Sequence, residues 1–364
     1  MSSHSLHSAQ VTSLQQIPQF SNVIECLGGA ETRLKARLVP QPGHGELLLA
    51  LRVVGLCGTD LFKLHAGQAA RGTVLGHELV GEVLALGKGV TDFSVGERVA
   101  VPHHVPCGHC RLCLRGSETL CNTFRENLLF PGGFAEHLIV KERAVKHCTY
   151  KLPAHVSDAA AAFIEPAACV MRGIQRSQLA SGDTVAILGA GSMGLLHLLL
   201  LRAYLPEVQT LVVDPVLARQ TQALELGATY ASSPGDDAKT KAETLTDELG
   251  IDVVFDTVGG SLSLAAGLEL GRQGGTVVLF AHAGDGEQAT LDLNDLFKFE
   301  RRVLGTYSGS VREQQTVFEL LISGSFDPTP LISHQLPLEE FTRGVELARA
   351  RKALKVLFTP TGGG

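Results

Sequence analysis

Three groups of residues have the types and spacing to do chemistry. The first is Cys107-x2-Cys110-x2-Cys113-x7-Cys121. Four thiolates in one short stretch suit tetrahedral Zn2+ and leave no open position, which predicts a structural zinc site. An iron–sulfur cluster is the competing reading. The ferredoxin run closes with a gap of three and a Pro, however, whereas here seven residues precede Cys121 and Asn122 follows it.

The second group is scattered: Cys57-Gly58-Thr59-Asp60, Gly76-His77-Glu78 and Ile164-Glu165-Pro166. Any one Cys or His alone is more often a packed core residue than a ligand. Together, Cys57, His77 and a carboxylate, Glu78 or Glu165, supply the three mixed ligands of a catalytic zinc whose fourth position takes water or a substrate oxygen. Such a metal lowers the pKa of an alcohol so that hydride can pass to a nicotinamide. Thr59, two residues beyond Cys57, is placed to accept the proton, and Asp60 to orient the imidazole of His77.

The third group is Gly189-Ala190-Gly191-Ser192-Met193-Gly194, directly after an apolar strand and at the start of a helix. Gly189 permits the tight turn, Gly191 lets the backbone approach a diphosphate, and Gly194 lets the helix pack against the strand. Ser192 and Met193 head the helix whose N-terminus receives the anion. Asp214, 20 residues after Gly194, can accept hydrogen bonds from the adenosine ribose and repel a 2′-phosphate, which favours NAD over NADP. Arg219 is the nearby residue that would tolerate such a phosphate.

The elements that must position these groups differ along the chain. From 23 to about 140 the apolar runs are short and broken by Gly, Pro and Asp, as in a β-rich unit. From about 166 strands alternate with helices: Thr184 to Leu188, Ser192 to Tyr204, Thr210 to Val213, Val216 to Leu226. Repeated units of this kind predict an α/β, doubly wound parallel sheet. With 364 residues, 45% of them hydrophobic, two domains are expected. Forty glycines against four tyrosines and no tryptophan fit many turns and no aromatic stacking surface. A net charge of -6 with mixed signs argues against nucleic acid or an anionic membrane as partner and for a small molecule. No apolar run approaches a membrane span, and Met1 to Phe20 lacks the features of a secretory signal. A cytoplasmic protein with reduced thiols is expected.

In this order, the Cys57, Gly76-His77-Glu78, four-cysteine, Glu165 and glycine motifs resemble the zinc-dependent medium-chain dehydrogenase/reductase superfamily, especially its sorbitol and threonine dehydrogenase branches. The resemblance covers the chain from about Val23. It implies a GroES-like catalytic domain over 23–165 with a zinc lobe at 103–125, a Rossmann domain over 166–308 and a C-terminal return over 309–364, with 1–22 left as an extension. It implies two zinc ions per chain and makes Cys57 and His77 the invariant type of ligand, Glu78 the motif carboxylate and Glu165 the residue of the third-ligand region. Relatives with a Cys near that place are less similar, and Cys169 is a weaker substitute. His104, three residues before Cys107, matches a histidine that threonine dehydrogenase-like proteins use near substrate. The implied activity is NAD-linked oxidation of a secondary alcohol or polyol to a ketone by a homodimer or homotetramer, with an exposed strand near Val303 available for pairing. Threonine 3-dehydrogenase-like oxidation and a non-catalytic protein that binds zinc and NAD on the same scaffold are the alternatives.

Overall fold

The structure, a computed structural model, describes residues 17–361. Residues 1–16, most of the expected extension, lie outside the described residues. Strand Phe20–Gly28 starts three residues before the expected boundary at Val23. Val23, Ile24 and Cys26 are buried in it, and positive φ at Gly28 and Gly29 turns the chain into the antiparallel partner Glu31–Leu38.

The first unit is built on Leu47–Gly55, whose apolar residues are buried on both faces except for half-buried Ala50, while Arg52 is exposed. It pairs antiparallel with Glu78–Leu86, His137–Val140 and Lys355–Thr359. Arg98–Val101 and Tyr150–Lys151 continue the sheet on one side, and Ile332–Pro337 closes it on the other. Two of its strands therefore come from the last thirty-odd residues of the described chain.

The second sheet is wholly parallel and six-stranded: Tyr230–Ser232, Gln209–Val213, Thr184–Leu188, Ile251–Asp256, Gly271–Leu279, Arg302–Gly305. Counted from Thr184–Leu188 as the first strand, the order is 3-2-1-4-5-6, the arrangement of a dinucleotide-binding fold. The crevice of such a sheet opens where the order reverses, between Thr184–Leu188 and Ile251–Asp256. The glycine motif begins at that point. Helix Ser192–Tyr204, apolar almost all round, follows it and is buried along most of its length.

Helix Ile164–Ser177 runs through the place where a boundary between 165 and 166 was expected, so a buried helix rather than a loop joins the two units. Helix Val311–Ile322 packs along it. One apolar cluster passes from Leu47 and Leu49 through Ala167, Met171 and Ile174 to Val185 and Leu195, so the two sheets share a core. No helix of the described residues is long and apolar enough to cross a membrane.

His197 is a fully buried histidine on the helix after the glycine motif. Its Nδ1 lies 2.7 Å from the Met193 carbonyl, its ring packs on Phe255 and Phe280, and its Nε2 has no partner among the described residues. Burial holds its pKa down to about 4, against a smaller opposing effect of the Met193 carbonyl. A histidine depressed in the folded state contributes stability that is complete above its unfolded pKa, near 6.5, and is lost as pH falls toward 4. Between pH 7 and 4.5 the contribution shrinks by roughly 2–3 kcal/mol. Urea unfolding at the two pH values should show a smaller pH dependence for His197→Leu than for wild type by about that amount; equal dependence in both proteins refutes the assignment.

Candidate functional site

Cys57 stands just before helix Gly58–His65 and caps it: its sulfur accepts the Thr59 N–H at 3.4 Å, and the Asp60 carboxylate accepts the Cys57 N–H at 3.2 Å. The other Asp60 oxygen accepts the Gly76 N–H at 3.3 Å and faces His77 Nδ1 at 3.6 Å. Position 76 has φ +91°, and a Cβ there would stand 2.7 Å from the Phe134 nitrogen, so only glycine brings His77 to the start of its strand in this way. Burial favours the neutral His77 ring, but Asp60 and Cys57 outweigh it and raise its pKa well above the usual value.

Ligand atoms of Cys57, His77 and Glu78 all lie within 4.8 Å of one another. Sulfur, nitrogen and oxygen donors converging in this way fit a zinc ion with an open side. Thr59, half-buried on the first helical turn, lies beside them. Glu165 does not join the trio. On the first turn of Ile164–Ser177, it lies 3.7 Å from His104 Nδ1 and accepts from the Cys169 thiol at 3.6 Å. Burial would raise the Glu165 pKa, yet His104 and His77 bring it below the usual carboxylate value. Cys169 thus touches the site through Glu165.

Sequence reasoning missed Lys355. Its ammonium pairs with Glu78, both buried, and donates to the Leu56 carbonyl at 3.2 Å. Burial favours the neutral amine, but Glu78 and Cys57 hold Lys355 charged and raise its pKa. A Cβ at position 55 would stand 2.3 Å from Glu78 Oε2 and 2.8 Å from Lys355 Cε, so Gly55 makes room for the pair. The signal was a single lysine heading the apolar run Lys355-Val-Leu-Phe.

The four lobe sulfurs of Cys107, Cys110, Cys113 and Cys121 also lie within 4.8 Å of one another, and no cysteine of the described chain is in a disulfide. The N–H groups of Cys107 and Cys110 donate to the sulfurs of Cys121 and Cys107 at 3.4 and 3.3 Å. Four unbridged sulfurs held by N–H donors fit a closed metal site. The lobe leans on the site: Phe124 packs with Cys113 and Cys121 and stacks on His104 at 4.7 Å. Arg172 of the linking helix donates to the Gly116 carbonyl at 3.0 Å. His103 lies between His77 and His104, at 5.5 and 3.9 Å between ring centres. Burial, with His104, His77 and Lys63 nearby, holds its pKa well below the usual value.

In the parallel sheet, Gly189 has φ +95°, and a Cβ on Gly194 would stand 1.8 Å from the Gly189 carbonyl. Around Gly191 nothing lies within 4 Å of where a Cβ would be, which leaves space for a ligand. Gly191, Ser192 and Met193 form the cap and first turn of the helix, whose N–H groups have no helical partner. The Met193 side chain packs against the core. Asp214 is buried, and its two oxygens accept the N–H groups of Ala190 and Val216 at 2.8 and 2.9 Å. Arg219 lies 3.7 Å from it. A cavity of about 610 Å³ is lined by Gly189, Gly191, Asp214, Arg219, Thr257 and Val258 among others, a size suited to part of a dinucleotide. Phe62 stacks on His282 across the two units at 5.9 Å; Phe124 is buried and Phe130 exposed.

Residues 43–153 match the family described as the alcohol dehydrogenase GroES-like domain, and residues 192–323 the family described as zinc-binding dehydrogenase. A sorbitol dehydrogenase of Halalkalibacterium halodurans is 31% identical, over 88% of this chain and 93% of its own. An L-threonine 3-dehydrogenase of Yersinia pestis is 28% identical, over 88% and 94%. A crystal structure from Sinorhizobium meliloti 1021, described as a zinc-binding dehydrogenase bound to NADP, superposes with a TM-score of 0.83 at 27% identity, covering 94% of this chain and all of that one.

Removing one partner of a buried ion pair leaves the other charge uncompensated. Lys355→Met should therefore lower the stability of the chelator-treated protein by roughly 3–5 kcal/mol in urea unfolding. A loss well under about 1 kcal/mol would mean that the pair contributes nothing to holding Glu78.

Proposed function

The chain belongs to the zinc-dependent medium-chain dehydrogenases of the alcohol dehydrogenase superfamily, and from that premise we propose that it oxidises a secondary hydroxyl of a polyol reversibly to a ketone, with NAD as hydride acceptor. That the protein is an NAD(P)-linked alcohol or polyol dehydrogenase follows from the family; the polyol and the choice of NAD are our reading. The observation that carries it is the convergence of Cys57, His77 and Glu78 within 4.8 Å, with the Thr59 N–H on the Cys57 sulfur.

In this reading Cys57, His77 and either Glu78 or Glu165 hold the catalytic zinc, and the four lobe cysteines hold a second, structural one. The bound metal supplies the Lewis acidity that eases loss of the substrate proton. Asp60 fixes the His77 ring through Nδ1, which leaves Nε2 for the metal. The Thr59 hydroxyl takes the substrate proton and passes it outward. His104 acts by positioning Glu165, from which its Nδ1 is 3.7 Å away. The first-turn N–H groups of Ser192, Met193 and Gly194, with Gly189 and Gly191 keeping side chains clear, receive the diphosphate. Asp214 receives the adenosine ribose, and its charge beside the cavity disfavours a 2′-phosphate even though Arg219 is near. Sorbitol-type rather than threonine-type chemistry is preferred because the more similar of the two relatives above acts on sorbitol by its name.

Two further parts of the proposal rest on surface and thiol chemistry. Strand Arg302–Gly305 is an unpaired edge of the parallel sheet, and the nearby helix Leu293–Lys298 exposes Leu293 and Phe297, which supports a homo-oligomer assembled there. Eight unbridged cysteines support a reducing compartment, the cytoplasm.

Metal analysis together with reduction of NAD across polyols, secondary alcohols and L-threonine tests the proposal. Two zinc ions per chain and turnover confined to polyols and secondary alcohols are expected; turnover on L-threonine alone, or none, overturns it. Cys57→Ala should lose one zinc and reduce kcat at least 10³-fold with little change in melting temperature, whereas an active variant removes Cys57 from the ligand set.

A further inference from the structure

We propose that His103 is the side chain that selects a second hydroxyl on the carbon next to the one oxidised, so that vicinal diols are favoured over mono-alcohols at this site. The inference rests on the polyol reading above and deepens it.

His103 is 9% exposed, and its Nδ1 is buried with no hydrogen-bond partner among the described residues. A buried polar atom without a partner is costly, so one at the rim of a reaction site points to a group that arrives with the substrate. Of the neighbouring polar side chains, Asp60 and Glu78 have partners, while His104 Nδ1, also without a hydrogen bond, differs from His103 Nδ1 in facing a carboxylate, Glu165, at 3.7 Å. Asp60 serves Cys57, Gly76 and His77, and Glu78 serves Lys355. The His103 ring stands 5.5 Å from that of His77, one of the three converging donors, so it borders the place where a substrate hydroxyl is held. The remaining hydroxyl of a vicinal diol is a donor and acceptor of the size that fits this gap, and an imidazole nitrogen complements it in either sense.

The backbone that presents His103 is fastened on both sides. The Gln314 amide donates to the carbonyls on either side of this residue, Pro102 at 3.1 Å and His104 at 3.2 Å. The adjoining His104 ring is pinned on Phe124 at 4.7 Å. A clamped loop that presents an unpaired nitrogen is prearranged to discriminate: a substrate lacking the second hydroxyl leaves that nitrogen desolvated and unpaired.

The test compares butane-2,3-diol with butan-2-ol, which differ by that hydroxyl alone. Their dissociation constants are measured by calorimetry on the zinc-loaded protein saturated with NADH, where no turnover occurs, and kcat/KM is measured separately with NAD. His103→Leu and His103→Ala remove the nitrogen in two sizes, so a fold lost in one leaves the other; His103→Gln keeps a polar group. Zinc content and melting temperature are followed in each. The diol-to-mono-alcohol ratio should fall on the order of 10- to 100-fold in the apolar variants and recover in part with Gln. Equal losses for both compounds, or a ratio that survives, overturn the inference. Wild type that oxidises neither compound nor any polyol refutes the proposed function instead, so the two failures are distinguishable.

Discussion

The site is organised around one carboxylate. Asp60 is 1% exposed and accepts hydrogen bonds from two separate stretches of chain, through the Cys57 and Gly76 N–H groups, while facing the His77 ring. A buried carboxylate is tolerated only when its lone pairs are used, and here their use joins the helix cap carrying Cys57 to the turn carrying His77 and the strand that Glu78 begins. Without that tie, the loop before Gly58–His65 and the turn at Gly76 have no common reference, and two of the three converging donors drift apart. The positive φ of Gly76 and the absent side chain at Gly55 are the clearances that the arrangement needs.

A second layer of contacts extends that order outward. Arg172, Glu165 and Cys169 share the linking helix, so one helix carries both the contact to the lobe and the acid beside His104. Phe124 carries the lobe's core onto the His104 ring, and Gln314 fastens the same loop from the opposite side. The lobe therefore buttresses the loop 102–104 beside the converging donors. A stretch of about fifteen residues with so small an apolar core does not fix its own geometry, and the four converging sulfurs at its centre are the donors through which a bound metal would hold it in shape.

Much of this was legible in the sequence wherever chemistry is local. The four cysteines announced themselves by spacing, and Gly189 to Gly194 by following an apolar strand. Strand Thr184–Leu188 and helix Ser192–Tyr204 were readable because buried parallel strands and their helices leave continuous apolar runs. Lys355 was not legible: nothing near it in sequence suggests a partner 277 positions away. The same limit applies to Glu165, whose choice between the trio and His104 depends on a helix's rotation, which no motif encodes. His103 passed for one of several loop histidines, because only burial separates it from its neighbours. The joining of the two units at 165 was hidden for a different reason. A change of texture marks where strand–helix alternation starts, but the helix Ile164–Ser177 packs in the core that the two sheets share and so carries neither texture.

The pairing of Lys355 with Glu78 ties the finished site to the timetable of translation. A ribosome adding about 5–20 residues per second needs on the order of half a minute to travel from one to the other, since they are 277 positions apart. For that interval the nascent chain holds Cys57, His77 and Glu78 without the counter-charge, and the edge of Leu47–Gly55 without the strand that later covers it. The Rossmann sheet is complete before the catalytic sheet closes, because its last strand ends at Gly305. Chains cut between Gly305 and Lys355 carry every recognisable motif and still lack a closed first sheet, so that sheet closes only once the strand Lys355–Thr359 has been made.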